Sequence, residues 1–206
     1  MERDFESYQK SVRMVMQEAQ RGALRGIHGP VGNLMTTEER YTVAIEIALG
    51  AGLQNIVVDR EEDAKAAIGY LKKRDGGRAT FLPLTSVKAN VMTDIPEEEA
   101  GFVGLASNLV TCDKKYEGVA KNLLGRTVVA EDMDYAVSMA RRHNYKFRIV
   151  TLDGQVINAG GSMTGGSAGR NTGILSRANE INQLDEKVQN LADRKKQAET
   201  RAEEAE

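Results

Sequence analysis

The chain has 206 residues, 41% of them hydrophobic and 28% charged, with a formal net charge of −2. That length suits one or two domains, and the near-balanced charge provides no global basic field, so any nucleic-acid contact has to come from a local patch. Cys112 is the only cysteine, which excludes an intrachain disulfide framework and a zinc site built on several cysteines of one chain.

The N-terminus reads MERDFESYQK, too charged for a signal peptide, and no apolar run approaches membrane-spanning length, so no membrane role and a cytoplasmic location are expected. Phe5, Tyr8, Val12, Val15, Ala19 and Gly22 step by three and four residues alternately, the a/d spacing of a coiled-coil seam. Gly26, Gly29 and Gly32 then form an irregular crossing from this arm into the body, with His28 as a loop residue. Thr36 and Glu39 have capping-box spacing for a helix to about Leu49, with Val43, Ile47 and Gly50 along one side. Residues 55–58 read as a short buried strand and 61–74 as a helix with Ala64, Ala67, Ile68 and Leu71 on its inner face; 79–84 read as a second strand.

Residues 85–101, with Pro96 and Glu97, Glu98 and Glu99, read as a linker. The pattern then recurs. Asp113 is placed to cap a helix with Tyr116, Val119, Ala120, Leu123 and Leu124 inward, closed by Gly125. Residues 127–130 form a strand, Asp132 caps a helix to about Arg142, and 147–152 form another strand that turns at Asp153-Gly154 into a hairpin over 155–158. Each half reads helix, strand, helix, strand at an offset of roughly 70 residues, a structural echo that suggests duplication. A second heptad seam follows at Ile181, Leu184, Val188, Leu191, Lys195, Ala198, Ala202 and Ala205. The two seams predict an antiparallel pair of coiled-coil arms, with amphipathic surface helices as the alternative. The seam runs on to the last residue without a breaker, as expected of a fragment of a longer parent.

Catalytic signatures are missing from this pattern. The glycine-rich stretch at 154–166 contains no G-K-[ST], and no lysine lies between Lys146 and Lys187, so a Walker phosphate loop is excluded. No strand is predicted to lead into Gly26-x-x-Gly29-x-x-Gly32, as a dinucleotide loop requires. His143 follows Arg141 and Arg142 at a helix end, where a cation suits the dipole. Ser86, Ser107 and Ser162 sit in no nucleophile elbow. No enzyme activity, cofactor or metal is therefore expected. With aromatics at 5% and no tryptophan, a stacking platform for single strands is poorly supplied. Basic residues cluster at Lys72, Lys73 and Arg74 and at Arg141 and Arg142, where helix C-termini favour them; Arg170 and Arg177 lie instead where the body joins the second arm.

The most telling stretch is 154–166, where Gly154, Gly161, Gly165 and Gly166 form a G-x6-G-x3-G-G pattern after a predicted strand and before a coil. Together with residues 45–59 (IEIALGAGLQNIVVD), 61–84 (EEDAKAAIGYLKKRDGGRATFLPL), 122–136 (NLLGRTVVAEDMDYA) and 148–167 (RIVTLDGQVINAGGSMTGGS), it resembles the hinge domain of the structural maintenance of chromosomes (SMC) proteins, bacterial condensin type. The resemblance covers about residues 24–177. It implies an α/β (α+β) hinge of two pseudo-repeated subdomains: an N-terminal arm at 1–23, subdomain I at 24–104 including the linker, subdomain II at 105–173, and a C-terminal arm at 174–206. It implies a homodimer that joins two antiparallel coiled-coil arms. In the parent protein those arms lead to ATPase heads and accessory condensin subunits, and the protein is nucleoid-associated in the cytoplasm. By position, Gly154, Gly161, Gly165 and Gly166 would line the dimer contact, with Val156, Ile157 and Met163 as apolar contacts beside them. Relatives place lysines near the hinge–arm junction for DNA. Here Arg170 and Arg177, with Lys72, Lys73 and Arg74, are the candidates for weak binding. A primarily DNA-binding module is the alternative, and a nucleotide-binding α/β enzyme comes last.

Overall fold

The computed structural model describes residues 7–166 and 173–177, with scattered positions between 184 and 195. Helix α1 (Lys10–Gln20) leads into β1 (Ile27–Pro30), a single turn α2 (Val31–Leu34) and β2 (Met35–Thr37). A 3-10 turn at Glu39–Tyr41, α3 (Thr42–Leu49), a second 3-10 turn at Gly50–Gln54, β3 (Ile56–Val58), α4 (Glu61–Lys73) and β4 (Phe81–Pro83) complete the first half. The second half has β5 (Phe102–Leu105), a 3-10 turn at Ala106–Asn108, β6 (Val110–Cys112), a 3-10 turn at Lys114–Tyr116, α5 (Glu117–Leu124), β7 (Thr127–Ala130), α6 (Met133–Arg142) and β8 (Arg148–Thr151). Two further strands follow, β9 (Val156–Ile157) and β10 (Met163–Thr164).

The halves repeat the same order of strands and main helices. β1, β2 and α3 begin at 27, 35 and 42, and β5, β6 and α5 begin at 102, 110 and 117, a constant step of 75 residues. Tyr41 and Tyr116 close matching 3-10 turns, and Leu49 and Leu124 end matching helices. In each half a parallel pair, β3 with β4 and β7 with β8, is joined through a crossover helix and flanked by an antiparallel strand, β1 or β5. The short β2–β6 ladder, with Thr36 opposite Thr111, stitches the halves together.

Side chains alternate across each strand, so the two sheets separate three apolar layers. Val57 of β3 and Val129, Val150 and Val156 of the second sheet face a central layer that also holds Ala44, Ile45, Ala48 and Leu49 of α3 and Val119, Ala120 and Leu124 of α5. Ile56 and Val58 face the opposite way, toward α4 and toward Tyr8, Val12 and Val15 of the N-terminal arm. Val128, Ile149 and Ile157 face α6 and the linker's Met92. Strands covered on both faces need apolar side chains in succession, which is why these read as continuous Val/Ile runs. Each such fully buried side chain contributes about 1.5–3 kcal/mol of burial.

Several local expectations change. The Thr36–Glu39 capping box does not form: Thr36 lies in β2, the Thr37 hydroxyl donates to Leu109 O at 2.5 Å, and α3 starts at Thr42. A non-local ladder that suits β-branched side chains outcompetes the local cap. Val43 is exposed, and α3 buries Ala44, Ile45, Ala48 and Leu49 instead. Ile68 of α4 is 53% exposed, so the inner face of that helix is Ala64, Ala67 and Leu71. Asp113 makes no side-chain cap, whereas Asp132 does, accepting from Tyr135 N at 3.0 Å. The crossing at 27–30 is the strand β1 paired with β3, so His28 belongs to a sheet and not to a loop. β5 pairs with β7, which places 102–105 in the second sheet.

The N-terminal seam is largely spent on the body, since Tyr8, Val12 and Val15 are buried there. Leu184, Val188 and Leu191 of the C-terminal seam are exposed; Phe5, Ile181, Ala198, Ala202 and Ala205 lie outside the described residues.

Candidate self-association edge

The second sheet runs β10-β9-β8-β7-β5, so β10 is its terminal strand among the described residues. It pairs antiparallel with β9, Met163 opposite Ile157 and Thr164 opposite Val156. Both β10 residues are exposed, Met163 by 51%. An uncovered strand edge beside a large apolar side chain is a template for another chain.

Val156 and Ile157 do not share that exposure. They are 4% and 1% exposed and belong to the central and α6-facing layers respectively. The expectation that they offer apolar surface to a partner is corrected: β9 has β8 on one side, β10 on the other, and helices over its faces. Of the expected apolar contacts, Met163 alone is on the surface.

The signature glycines have reasons within the chain. Gly154, Gly161 and Gly166 have φ of +88°, +95° and +138°, backbone that side-chain-bearing residues rarely adopt. Gly165 is different: a Cβ there would overlap Gln155 Oε1, because the Gln155 side chain crosses directly over it. Gly154 N donates to Thr151 O at 2.9 Å in the β8–β9 turn. At the other end, Gly160 N donates to Tyr145 O at 2.9 Å, and the Tyr145 ring underlies Gly161. The pattern therefore sets the course of the chain on both sides of β10.

The basic candidates lie elsewhere. Lys72 and Lys73 are in the last turn of α4 and, with Arg74, are exposed. The turn that follows lies against α1: a Cβ on Gly76 would come within 3.0 Å of Met14 Sδ, and one on Gly77 within 3.9 Å of Ser11 Cβ. Arg177 donates from Nη1 to Ser7 Oγ at 2.5 Å, tying the start of the C-terminal arm to the N-terminal one. Arg170 lies outside the described residues. Arg148 turns inward and donates to Ile47 O and Ala48 O.

Sequence reasoning missed the groups that root the arms and join the halves. Glu46 Oε1 accepts from Leu175 N at 2.7 Å and Ser176 N at 3.1 Å, capping the second arm from α3. His28 Nε2 pairs with Asp59 Oδ1 at 2.7 Å, and its Nδ1 is 3.0 Å from Tyr116 Oη in the other half. These pairings span 31 to 130 residues of chain, and no local motif announces them. Burial pushes the Cys112 thiol up from its ordinary range, with Glu117 and Asp113 adding to it, so this cysteine is a poor nucleophile. Among the described residues there is no group of His, Cys, Asp and Glu that could hold a metal ion, and no helix is long and apolar enough to cross a membrane.

Comparison with known proteins accords with this architecture. The family model for the SMC proteins flexible hinge domain matches residues 24–140. The chain is 40% identical to the chromosome partition protein Smc of Desulfitobacterium hafniense, over 98% of this chain and 17% of that protein. It is also 40% identical to the Bacillus subtilis chromosome partition protein Smc, over 94% of this chain and 17% of that protein. The crystal structure of an asymmetric dimer of the Geobacillus stearothermophilus SMC hinge domain matches with a TM-score of 0.86 at 40% identity, covering 94% of this chain and 78% of that one. The chain thus spans about a sixth of the curated relatives it matches, and the matching segment is the hinge. A repeated α/β body with this glycine-bounded edge strand, matched over more than half its length, belongs to the SMC hinge-domain family.

Proposed function

We propose that this chain is a homodimerisation module of a chromosome-partitioning ATPase, pairing two copies through the β10 edge. The observation that carries the reading is the terminal strand Met163–Thr164, exposed and flanked by turns that only glycine accommodates well. A solved hinge at 40% identity is a dimer, which supports it. The family resemblance implies that subdomain II of one protomer meets subdomain I of the other in two equivalent contacts, forming a ring, an arrangement compatible with two-fold symmetry and with strand addition at an edge. Gly154, Gly161, Gly165 and Gly166 shape that contact and Met163 supplies its apolar side chain. The arms leave from adjacent roots toward ATPase heads and accessory condensin subunits of a nucleoid-associated parent. Light scattering coupled to size exclusion tests this across a concentration series. The expected mass is twice the 22.5 kDa of the chain; a mass of one chain at every concentration overturns the reading.

A second activity, weak DNA binding, is favoured by one arrangement. The turn after Lys72, Lys73 and Arg74 lies against α1, where Lys10 and Arg13 are exposed, and Arg177 sits at Ser7 just before that helix. The basic groups therefore gather along one arm root, where duplex phosphates could be met without base readout.

A further inference from the structure

β10 has only two residues, too few ladder bonds to hold an outer strand unaided. Its register shows where the ladder stops. Continuing the pairs Ile157–Met163 and Val156–Thr164 by two places would set Gly166 opposite Gly154. Gly154, however, is turned back toward β8, with φ +88° and its N–H on Thr151 O. The backbone partner that Gly166 would need is therefore engaged elsewhere.

The Gln155 side chain takes its place. Its Oε1 accepts from Gly166 N at 2.8 Å, and its Nε2 donates to Gly166 O at 3.0 Å. A primary amide offers the same donor and acceptor as a peptide group, so this pair closes the rung that the turning backbone leaves open. The amide is itself braced, with Nε2 3.4 Å from Asp153 Oδ2. Gln155 N donates to the Thr151 hydroxyl at 2.9 Å, and Thr151 N donates to Gln155 O at 2.9 Å. Gly165 has no side chain because this amide crosses it, and its own φ is not left-handed. Tyr145 holds the opposite end of the hairpin through Gly160 N and its ring beneath Gly161. β10 is thus fastened at both ends, while among the described residues no strand pairs with its outer edge.

We infer that Gln155 is a positioning residue for self-association: its amide keeps β10 in strand geometry as a preformed edge for a second copy of this chain. The inference rests on the dimer reading above. A preformed edge spares the ordering entropy that a frayed one would lose on pairing.

The test measures dimer dissociation constants by sedimentation for the wild type, Gln155→Ala, Gln155→Glu, Gly165→Ala, the double variant Gln155→Ala/Gly165→Ala, and Met163→Asp. Gln155→Ala should weaken the dimer about tenfold, as removal of this hydrogen-bonded pair implies. Gln155→Glu should weaken it further, since a carboxylate oxygen would face Gly166 O. Gly165→Ala should weaken the wild type by displacing the amide, yet add nothing once Gln155 is alanine; independent, additive losses overturn the clamp. In each folded monomer, amide exchange at Gly166 should quicken for the Gln155 variants while the Ile149 and Ile157 amides, which face each other across β8 and β9, hold, a split that general destabilisation would not produce. If Met163→Asp leaves the dimer intact, the dimer reading itself fails. If Met163→Asp dissociates it and the Gln155 variants do not weaken it, the clamp alone is wrong.

Discussion

Arg148, the first residue of β8 in the second half, donates from Nη1 to the carbonyl of Ala48, the penultimate residue of α3 in the first, at 2.8 Å. Its Nη2 reaches Ile47 O at 3.1 Å, so one guanidinium caps the C-terminus of a helix from the opposite subdomain. The last carbonyls of a helix lack intrahelical partners, and a cation there also meets the negative end of the dipole. Burial lowers the Arg148 pKa below the ordinary guanidinium value, and Nε has no partner among the described residues, so the group carries a desolvation cost that the two carbonyls offset. Arg148→Ala should destabilise the fold by about 2–4 kcal/mol, the cost of removing two charge-assisted bonds across a buried junction. Lysine offers a point charge and no fork, so Arg148→Lys should recover less than half of that. Urea denaturation of both variants checks it, and a lysine variant as stable as wild type contradicts the fork.

Met163→Asp separates pairing from folding. Because Met163 is about half exposed in the single chain, aspartate there costs the monomer little, while a buried charge where two strands meet is expensive. The expected result is an unchanged monomer melting temperature with the dimer abolished at micromolar concentration. Gly165→Asp should also prevent pairing, but through Gln155, so its monomer should exchange faster at Gly166. Sedimentation and hydrogen exchange on the same samples distinguish the two routes.

Legibility differed between elements for physical reasons. β7 and α6 could be read from the sequence because their determinants are local: a Thr-Val-Val-Ala run covered on both faces, then Asp132 capping its own helix. β2 and β5 could not, because they exist through partners 75 and 28 residues away, Thr111 facing Thr36 and Ala130 facing Phe102. The glycine signature marked the right place for a mixed reason. Glycine suggested close approach by another chain, whereas at Gly165 the approaching group is Gln155 ten residues earlier. Val156 and Ile157 are only two apolar residues between Gln155 and Asn158, too short a run to announce a covered strand, and the packing of the helices on either side shows that both faces of β9 are already covered.

DNA binding, where present, should be electrostatic. Replacing Lys72, Lys73 and Arg74 together by glutamate should lower affinity uniformly across sequences. It should also reduce the slope of log affinity against log salt by about one unit for each phosphate no longer neutralised. Fluorescence anisotropy on a short duplex across a salt series measures it. An unchanged slope removes the α4 cluster from the DNA-binding surface and leaves the arm arginines as the remaining basic candidates.

The arm roots meet at Gly32, and this gives the sharpest test of how the body holds them. A Cβ at Gly32 would lie 2.6 Å from Ile174 Cγ2 and 2.9 Å from Tyr8 Oη, so one added methyl group would push against both arms at once. Tyr8 Oη donates to Asn33 Oδ1 at 2.6 Å, while Glu46 caps the other arm at Leu175 and Ser176. Gly32→Ala should therefore loosen both roots, and Glu46→Ala only the second. Removing a capping carboxylate costs a helix start about 1 kcal/mol, enough to raise the opening frequency at 175 and 176 several-fold. Amide exchange resolves the two: Gly32→Ala should quicken exchange at Val12 as well as at Leu175, and Glu46→Ala should leave Val12 at its wild-type rate. Faster exchange at Val12 in the Glu46 variant would mean that the arms are held as one unit, through Arg177 and Ser7, and not separately by the body.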